Sequence, residues 1–177
     1  MTVLPVPTVD LYLQSPSTLP SSLTSDLLPA ESQWQQWFTL WLAQLEADLP
    51  PASAYELTLR LTSDQEIQHL NAQFRHQDKP TDVLSFASLE DEVPTVETDS
   101  LEPLYLGDLV ISLETAARQA LEVSVSLTTE LAWLAAHGLL HLVGWDHPDD
   151  FHLQKMVRRQ ADLLQHIGLD YCWQDYF

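Results

Sequence analysis

The sequence is poor in cysteine, in basic residues and in long hydrophobic runs. Its single cysteine, Cys172, excludes an intramolecular disulfide and a cysteine-rich metal site. No apolar run approaches the ~20 residues that a membrane-spanning helix requires. The N-terminus carries no basic residue and is interrupted by prolines, so it does not resemble a secretory signal. These absences predict a soluble cytoplasmic protein with no membrane partner.

Basic residues number seven against 26 acidic ones, which gives a formal net charge of −19. Such acidity keeps a protein soluble and repels polyanions, so the overall charge argues against nucleic-acid binding. Any interaction with a nucleic acid therefore has to rely on basic residues that are gathered locally.

The 177 residues, of which 45% are hydrophobic, suffice for one domain with a buried core. We expect a single domain over 1–177, with a proline- and serine-rich N-terminal segment holding one strand over 1–30 and an acidic surface loop over 90–102. Hydrophobic periodicity predicts about four strands and five helices. The predicted fold class is α+β: a small mixed β-sheet packed with helices around a central metal-binding helix.

Two of the predicted helices have clear boundary signals. Aromatic and leucine side chains recur at spacings of three and four from Trp34 to Leu49, which predicts a core-facing helix stopped by Pro50–Pro51. Ser63 and Glu66 match a capping box and start a second helix. We assign the tryptophan stripe of the first helix to the core rather than to a ligand site.

Three of the seven histidines fall within the eleven residues HGLLHLVGWDH. His137 and His141 lie in a strongly helix-forming segment, where residues four apart project from the same face with Cβ atoms ~6 Å apart. Two such imidazoles can converge on one ion at the usual zinc–nitrogen distance of ~2.0–2.1 Å.

A third ligand from His147 requires the helix to end just after His141. An unbroken helix would carry His147 ~9 Å further along the axis and onto another face. Gly144 is suited to a left-handed C-terminal cap, and Pro148 disfavours helix at the residue before it. The pattern predicts a three-histidine site with a fourth position open to water, and such a site favours hydrolase chemistry.

The spacing also resembles the zinc-binding helix of metzincin proteases, HExxHxxGxxH. Gly138, however, occupies the position of their general-base glutamate, so a protease is the weaker alternative. Three nearby acids, Asp146, Asp149 and Asp150, are equally suited to orienting a ligand or capping a helix. The sequence identifies no general base.

HGLLHLVGWDH resembles more closely the signature of the YbeY family of bacterial endoribonucleases, which act in ribosomal RNA maturation. NAQFRHQDKPTDVLSF (Asn71–Phe86) and LGDLVIS (Leu106–Ser112) resemble two further motifs of that family in the same order, so the match covers roughly residues 55–168. The resemblance implies a zinc-dependent, single-strand-specific endoribonuclease that acts in small-subunit ribosomal RNA maturation and ribosome quality control. Its implied partners are single-stranded or ribosomal RNA and ribosomal or ribosome-assembly proteins.

The resemblance also assigns roles to individual residues. The family's ligands for one Zn²⁺ ion, completed by water, correspond to His137, His141 and His147. Arg75 corresponds to an arginine of functional importance beside the metal, and a guanidinium there can pair with a phosphate and stabilise its developing charge. Without the family context, an arginine at a helix end paired with Asp78 or Asp82 is the simpler interpretation.

Two matters stay open in the sequence. We hypothesise that five of the seven basic residues form a local positive patch beside the metal, namely Arg75, Lys79, Lys155, Arg158 and Arg159. Two alternative functions also remain: a metal-dependent hydrolase of another substrate, such as peptide, and a non-catalytic ribosome-assembly factor with a structural metal.

Overall fold

The computed structural model describes residues 6–90 and 102–173. Within these ranges the chain forms a four-stranded mixed sheet and five α-helices, which confirms the predicted α+β class. The strand expected in the N-terminal segment is present. Most of the acidic segment 90–102 lies outside the described residues, and the assignment of 1–177 to a single domain stays a prediction.

The strands lie in the order β1–β2–β4–β3. Their bounds are Thr8–Gln14 for β1, Ala54–Thr62 for β2, Val83–Ala87 for β3 and Leu104–Ser112 for β4. Strands β1, β2 and β4 run parallel, and β3 pairs with β4 in the antiparallel direction. Alternate residues of β2, among them Leu57, Leu59 and Leu61, are buried, as expected for a strand with one face on the core.

The helices pack mainly on one face of this sheet. Their bounds are Glu31–Gln44 for α1, Asp64–Arg75 for α2, Leu113–Glu122 for α3, Leu127–Leu142 for α4 and Asp150–His166 for α5. Helix α1 ends earlier than the prolines predict, because the chain tightens into a 3₁₀ turn over Glu46–Asp48. Its tryptophan stripe is buried, which confirms the assignment to the core.

The predicted capping box is only half formed. The Ser63 hydroxyl accepts a hydrogen bond from the Glu66 backbone N–H, as expected. The Glu66 carboxylate does not return to Ser63 but binds the Arg60 guanidinium and the Thr62 hydroxyl on β2. The cap therefore also ties α2 to the neighbouring strand.

Helix α4 is the central helix, in contact with α3, α5, β3 and β4. From Thr129 to Leu142 every residue is buried except His137 and His141, which are partly exposed. A helix that is buried on all sides belongs in a core, and the two histidines lie where a cavity reaches it.

No single helix of the described ranges combines the length and the apolar character needed to cross a membrane. Helices α3 and α4 satisfy the criterion only jointly, as a pair bent by 113°.

Candidate metal centre

The three predicted histidines come together in the structure. His137 and His141 lie one turn apart on α4, and His147 lies on the loop that follows. Their ligand atoms all lie within 4.8 Å of one another, and the Nε2 atoms of His137 and His141 are 3.2 Å apart. Nitrogen atoms this close can converge on one cation, so the cluster can hold a metal ion.

The return of His147 depends on how α4 ends. Gly144 has a φ of 97°, and its N–H donates to the His141 carbonyl oxygen at 3.1 Å. The Trp145 N–H donates to the Leu140 carbonyl oxygen at 2.9 Å, which completes a Schellman cap. A Cβ atom on Gly144 would meet nothing within 4 Å, so the need for glycine is conformational rather than steric.

Gly138 is required for the opposite reason. A Cβ atom there would lie 2.7 Å from Leu109 Cδ2 and 3.1 Å from Ser85 Oγ, both on the sheet beneath α4. The Ser85 hydroxyl also donates to the Gly138 carbonyl oxygen at 3.2 Å. A side chain at this position would collide with β3 and β4, so the site has no room for the glutamate that a metzincin protease carries.

Gln160, a buried side chain on α5, orients His137. Its Nε2 donates to the Trp133 carbonyl oxygen at 2.8 Å, and its Oε1 lies 3.3 Å from His137 Nδ1. The Trp133 carbonyl oxygen can only accept, so the Gln160 amide NH₂ must face it. The Gln160 amide oxygen therefore faces the imidazole and accepts from His137 Nδ1–H. This leaves His137 Nε2 unprotonated and directed at the cluster, as a metal ligand must be.

Sequence reasoning missed Gln160. The available signal was a polar residue inside the apolar stripe of α5, between Val157 and Leu164. A buried amide in such a stripe needs partners, and here one of them is a histidine of the cluster.

Burial also sets the protonation of His137 and His141. Desolvation, with the neighbouring His141 second, lowers the pKa of His137 to about 4. Desolvation, followed by His147, likewise lowers the pKa of His141. Both imidazoles are therefore neutral at neutral pH, which is the form that coordinates a metal.

The cluster lies in a cavity of about 930 Å³ between α4, α5, β3 and the end of α2. Arg75, in the last turn of α2, lines this cavity together with the histidines. Within the described ranges Arg75 has no ion pair with Asp78 or Asp82. Asp78 accepts from Gln68 instead, and Asp82 accepts from Gln119. The simpler interpretation of Arg75 as a paired surface residue does not apply.

Hydrogen bonds of Asn71 hold the end of α2 in place. The buried Asn71 side chain donates from Nδ2 to the Lys79 carbonyl oxygen at 2.8 Å. The backbone carbonyl oxygen of Asn71 accepts from the backbone N–H groups of His76 and Gln77. His76 has a φ of 57°, so the chain turns away directly after Arg75. The asparagine and arginine of NAQFR thus act together, one closing the turn and the other facing the cavity.

Two of the three acids after the helix have structural contacts. The Asp146 carboxylate accepts from the His147 backbone N–H at 2.8 Å, and Asp149 caps α5 by accepting from the His152 N–H. Asp146 also lines the cavity, where it fixes the backbone of a candidate ligand.

The prediction of a five-residue positive patch is wrong. Of the five, only Arg75 lines the cavity. Arg159 donates to the Gln44 carbonyl oxygen on α1, Arg158 lies over the Trp173 ring and Lys155 over the Phe151 ring. Helix α5 turns its apolar stripe and Gln160 towards the cavity, so its basic residues face elsewhere.

Comparisons with known proteins point to one family. The family model described as Endoribonuclease YbeY matches residues 23–168. A relative named Endoribonuclease YbeY from Nostoc sp. is 52% identical over 162 residues, covering 91% of this chain and 88% of its own length. One from Synechocystis sp. with the same name is 54% identical over 164 residues, covering 90% of each chain.

The fold also matches a solved structure. The solution structure of TM1509 from Thermotoga maritima has a TM-score of 0.53 and 23% identity, covering 96% of this chain and 91% of that one. At this identity the likeness concerns the fold alone. The family model and the relatives lead to one conclusion: the chain belongs to the endoribonuclease YbeY family.

Proposed function

We propose that this protein is a metal-dependent, single-strand-specific endoribonuclease that acts in the cytoplasm in maturation of small-subunit ribosomal RNA and in ribosome quality control. The names of its relatives support the endoribonuclease activity. The observation that carries the proposal is the convergence of three histidines beside Arg75 in one cavity.

We propose His137, His141 and His147 as the ligands of one zinc ion. Three imidazoles suit zinc, and a donor set of three leaves a position for substrate or water. When bound, the ion supplies a Lewis acid for phosphodiester cleavage. Gln160 holds His137 in the ligating tautomer, and Asp146 holds the backbone at His147.

Arg75 is the proposed catalytic residue. Its guanidinium lines the same cavity as the histidines and has no competing ion pair among the described residues. It can therefore pair with the substrate phosphate and stabilise the negative charge that grows on it in the transition state.

The charge distribution bears on partners. Because Arg75 alone of the basic residues reaches the cavity and the net charge is −19, affinity for arbitrary RNA should be weak. Targeting then depends on ribosomal or ribosome-assembly proteins.

The central experiment compares wild-type protein, chelator-treated protein and Arg75→Ala on a single-stranded ribosomal RNA fragment, its duplex and casein. We expect the metal-loaded wild type to cleave the single strand only. Arg75→Ala should keep its fold and its metal but cleave about 10²–10³-fold more slowly, the loss typical of removing one group that stabilises transition-state charge.

Each alternative has its own outcome in that experiment. Cleavage of casein with intact RNA would favour a hydrolase of peptides. A chelated protein that unfolds outright, with RNA uncleaved by the loaded form, would favour an assembly factor with a structural metal. Product ends would then separate the routes, since attack by the 2′-hydroxyl leaves a 2′,3′-cyclic phosphate and attack by water can leave a 3′-hydroxyl.

A further inference from the structure

Phe74 precedes Arg75 in the last turn of α2, and 56% of its surface is exposed. Its ring lies edge-to-face against that of Phe86 on β3, with centroids 5.1 Å apart and planes at 71°. The contact holds the ring of Phe74 while more than half of the residue's surface stays exposed. A large aromatic side chain fixed in this way presents a flat apolar surface to solvent.

These two rings form a wall shared by two cavities. Both line the cavity of about 930 Å³ that contains the histidines. Both also line a second cavity of about 390 Å³, which lies on the sheet face opposite α4. Asp108 pairs with Phe86 in the sheet, and Thr58 pairs with Asp108 on its other side. Both line that second cavity. A chain leaving the metal cavity past Arg75 therefore meets the two phenylalanines directly.

The basic residues offer little help in holding RNA. Arg60 and Arg118 are paired with Glu66 and Asp64. Arg159, Arg158 and Lys155 are engaged on and around α5, as described above. In the described part of the chain, only Arg75 and Lys79 have basic side chains with no ion pair, hydrogen bond or ring contact. A ribonuclease with so few available cations needs another source of affinity.

We propose that Phe74, supported by Phe86, is a stacking platform for an unpaired RNA base next to the phosphate held by Arg75. The inference rests on the proposed function and specifies how its substrate is held. Stacking on an aromatic ring contributes affinity without positive charge and tolerates any base. A base inside a duplex already has both faces stacked, so the platform selects single strands.

Direct binding tests this platform. The probes are a fluorescein-labelled single strand of eight adenosine nucleotides and a strand of equal length made of abasic ribonucleotides, followed by fluorescence anisotropy in EDTA to prevent cleavage. Phe74→Ala should weaken binding of the adenosine strand at least about fivefold, the lower end of what one aromatic–base stack contributes. Phe74→Trp should restore it, and the abasic strand should bind weakly to all variants.

Phe151→Ala is the matched control, since Phe151 is a phenylalanine with 65% of its surface exposed that lines neither cavity. It should leave binding unchanged. Equal affinity of wild type and Phe74→Ala, equal losses in Phe74→Ala and Phe151→Ala, or equal binding of the two strands would each overturn the platform. Thermal unfolding of each variant verifies that the comparison is between folded proteins.

The outcome is separable from the proposed function. If wild type cleaves RNA and Phe74→Ala binds and cleaves normally, the platform fails while the endoribonuclease assignment stands. If metal-loaded wild type leaves RNA intact, the function itself fails. In the loaded enzyme the platform further predicts a higher KM for Phe74→Ala with kcat nearly unchanged.

Discussion

The C-terminal ends of α4 and α2 meet at the cavity, and they differ in burial. The end of α4, with Gln160 behind it, forms a floor in which His137 and His141 interrupt the buried stretch from Thr129 to Leu142. The end of α2 forms a rim, where Phe74 is exposed and Arg75 has no ion-pair partner among the described residues. Buried contacts hold the side chains of the floor, whereas the side chains of the rim are open to solvent or, within the described ranges, without an ion pair. We therefore expect changes in the floor to alter metal binding and stability, and changes in the rim to alter substrate handling alone.

The largest expected effect is the loss of a ligand from the floor. His141→Ala leaves two imidazoles, so the purified protein should contain little metal and RNA cleavage should fall at least ~10³-fold, because a catalytic ion contributes several kcal/mol. Metal content by mass spectrometry and a cleavage assay measure both. Arg75→Ala is the contrast from the rim, since it should keep its metal. Full metal content in His141→Ala would contradict the assignment of metal binding to the floor.

A second test uses Glu130, which lies on α4 two turns before His137. Burial is the main cause that raises the pKa of this carboxyl to about 7, although the Tyr171 hydroxyl donates to it. An acid with a raised folded pKa contributes its full stability below the unfolded value of 4.5, and this stability is lost as the pH rises through about 7.

Glu130→Gln should remove that loss, because the amide stays neutral and can still accept from Tyr171. In EDTA, the variant should match wild type near pH 4.5 and exceed it by about 3 kcal/mol at pH 8 in urea-unfolding free energy. Parallel pH profiles of the two proteins would contradict a buried neutral carboxyl in the floor.

A smaller effect is expected from Gln160→Leu, which keeps approximate volume but removes the hydrogen bonds to His137 and to the Trp133 carbonyl oxygen. The imidazole then loses its fixed tautomer, and metal affinity should fall about 10–100-fold. Competition with a chromophoric zinc chelator measures it. Gln160→Glu is the comparison variant. Its carboxylate can still accept from Nδ1–H but, like leucine, does not donate to the Trp133 carbonyl oxygen, so affinity restored by glutamate assigns the effect to the contact with His137. Unchanged affinity in Gln160→Leu would mean that α4 alone orients the ligand.

The smallest expected effect concerns salt. With two available cations, Arg75 and Lys79, binding of the adenosine strand should weaken less than about tenfold between 50 and 200 mM salt. Anisotropy at both concentrations gives the value. A drop of a thousandfold would mean that phosphate contacts outweigh the rim's aromatic surface.

The sequence predicted the floor better than the rim. The four-residue histidine spacing and Gly144 are local signals. The first places two side chains on one helix face, and the second ends the helix. Gln160 meets His137 across a helix–helix contact, which no local pattern encodes. The positive patch failed for the same reason, because the packing of α5 decides which of its faces meets the cavity.

The rim also shows what a motif alone leaves undetermined. Asn71 and Arg75 stand out in NAQFR, yet nothing in the sequence states that Asn71 ties the following turn to α2 or that Phe74 stays exposed. Likewise, Glu66 matched a capping box but bonds to Arg60 and Thr62, since β2 offers it closer partners. In each case tertiary neighbours decide among contacts that the local sequence permits.

The rim at the end of α2, the turn after it and most of β3 come from one continuous piece of chain, Asn71–Phe86. The three imidazoles come from another piece, His137–His147. The two pieces meet through the Ser85–Gly138 contact. Exchanging the first piece between relatives should therefore change the residues proposed to hold RNA and leave the three proposed metal ligands unchanged.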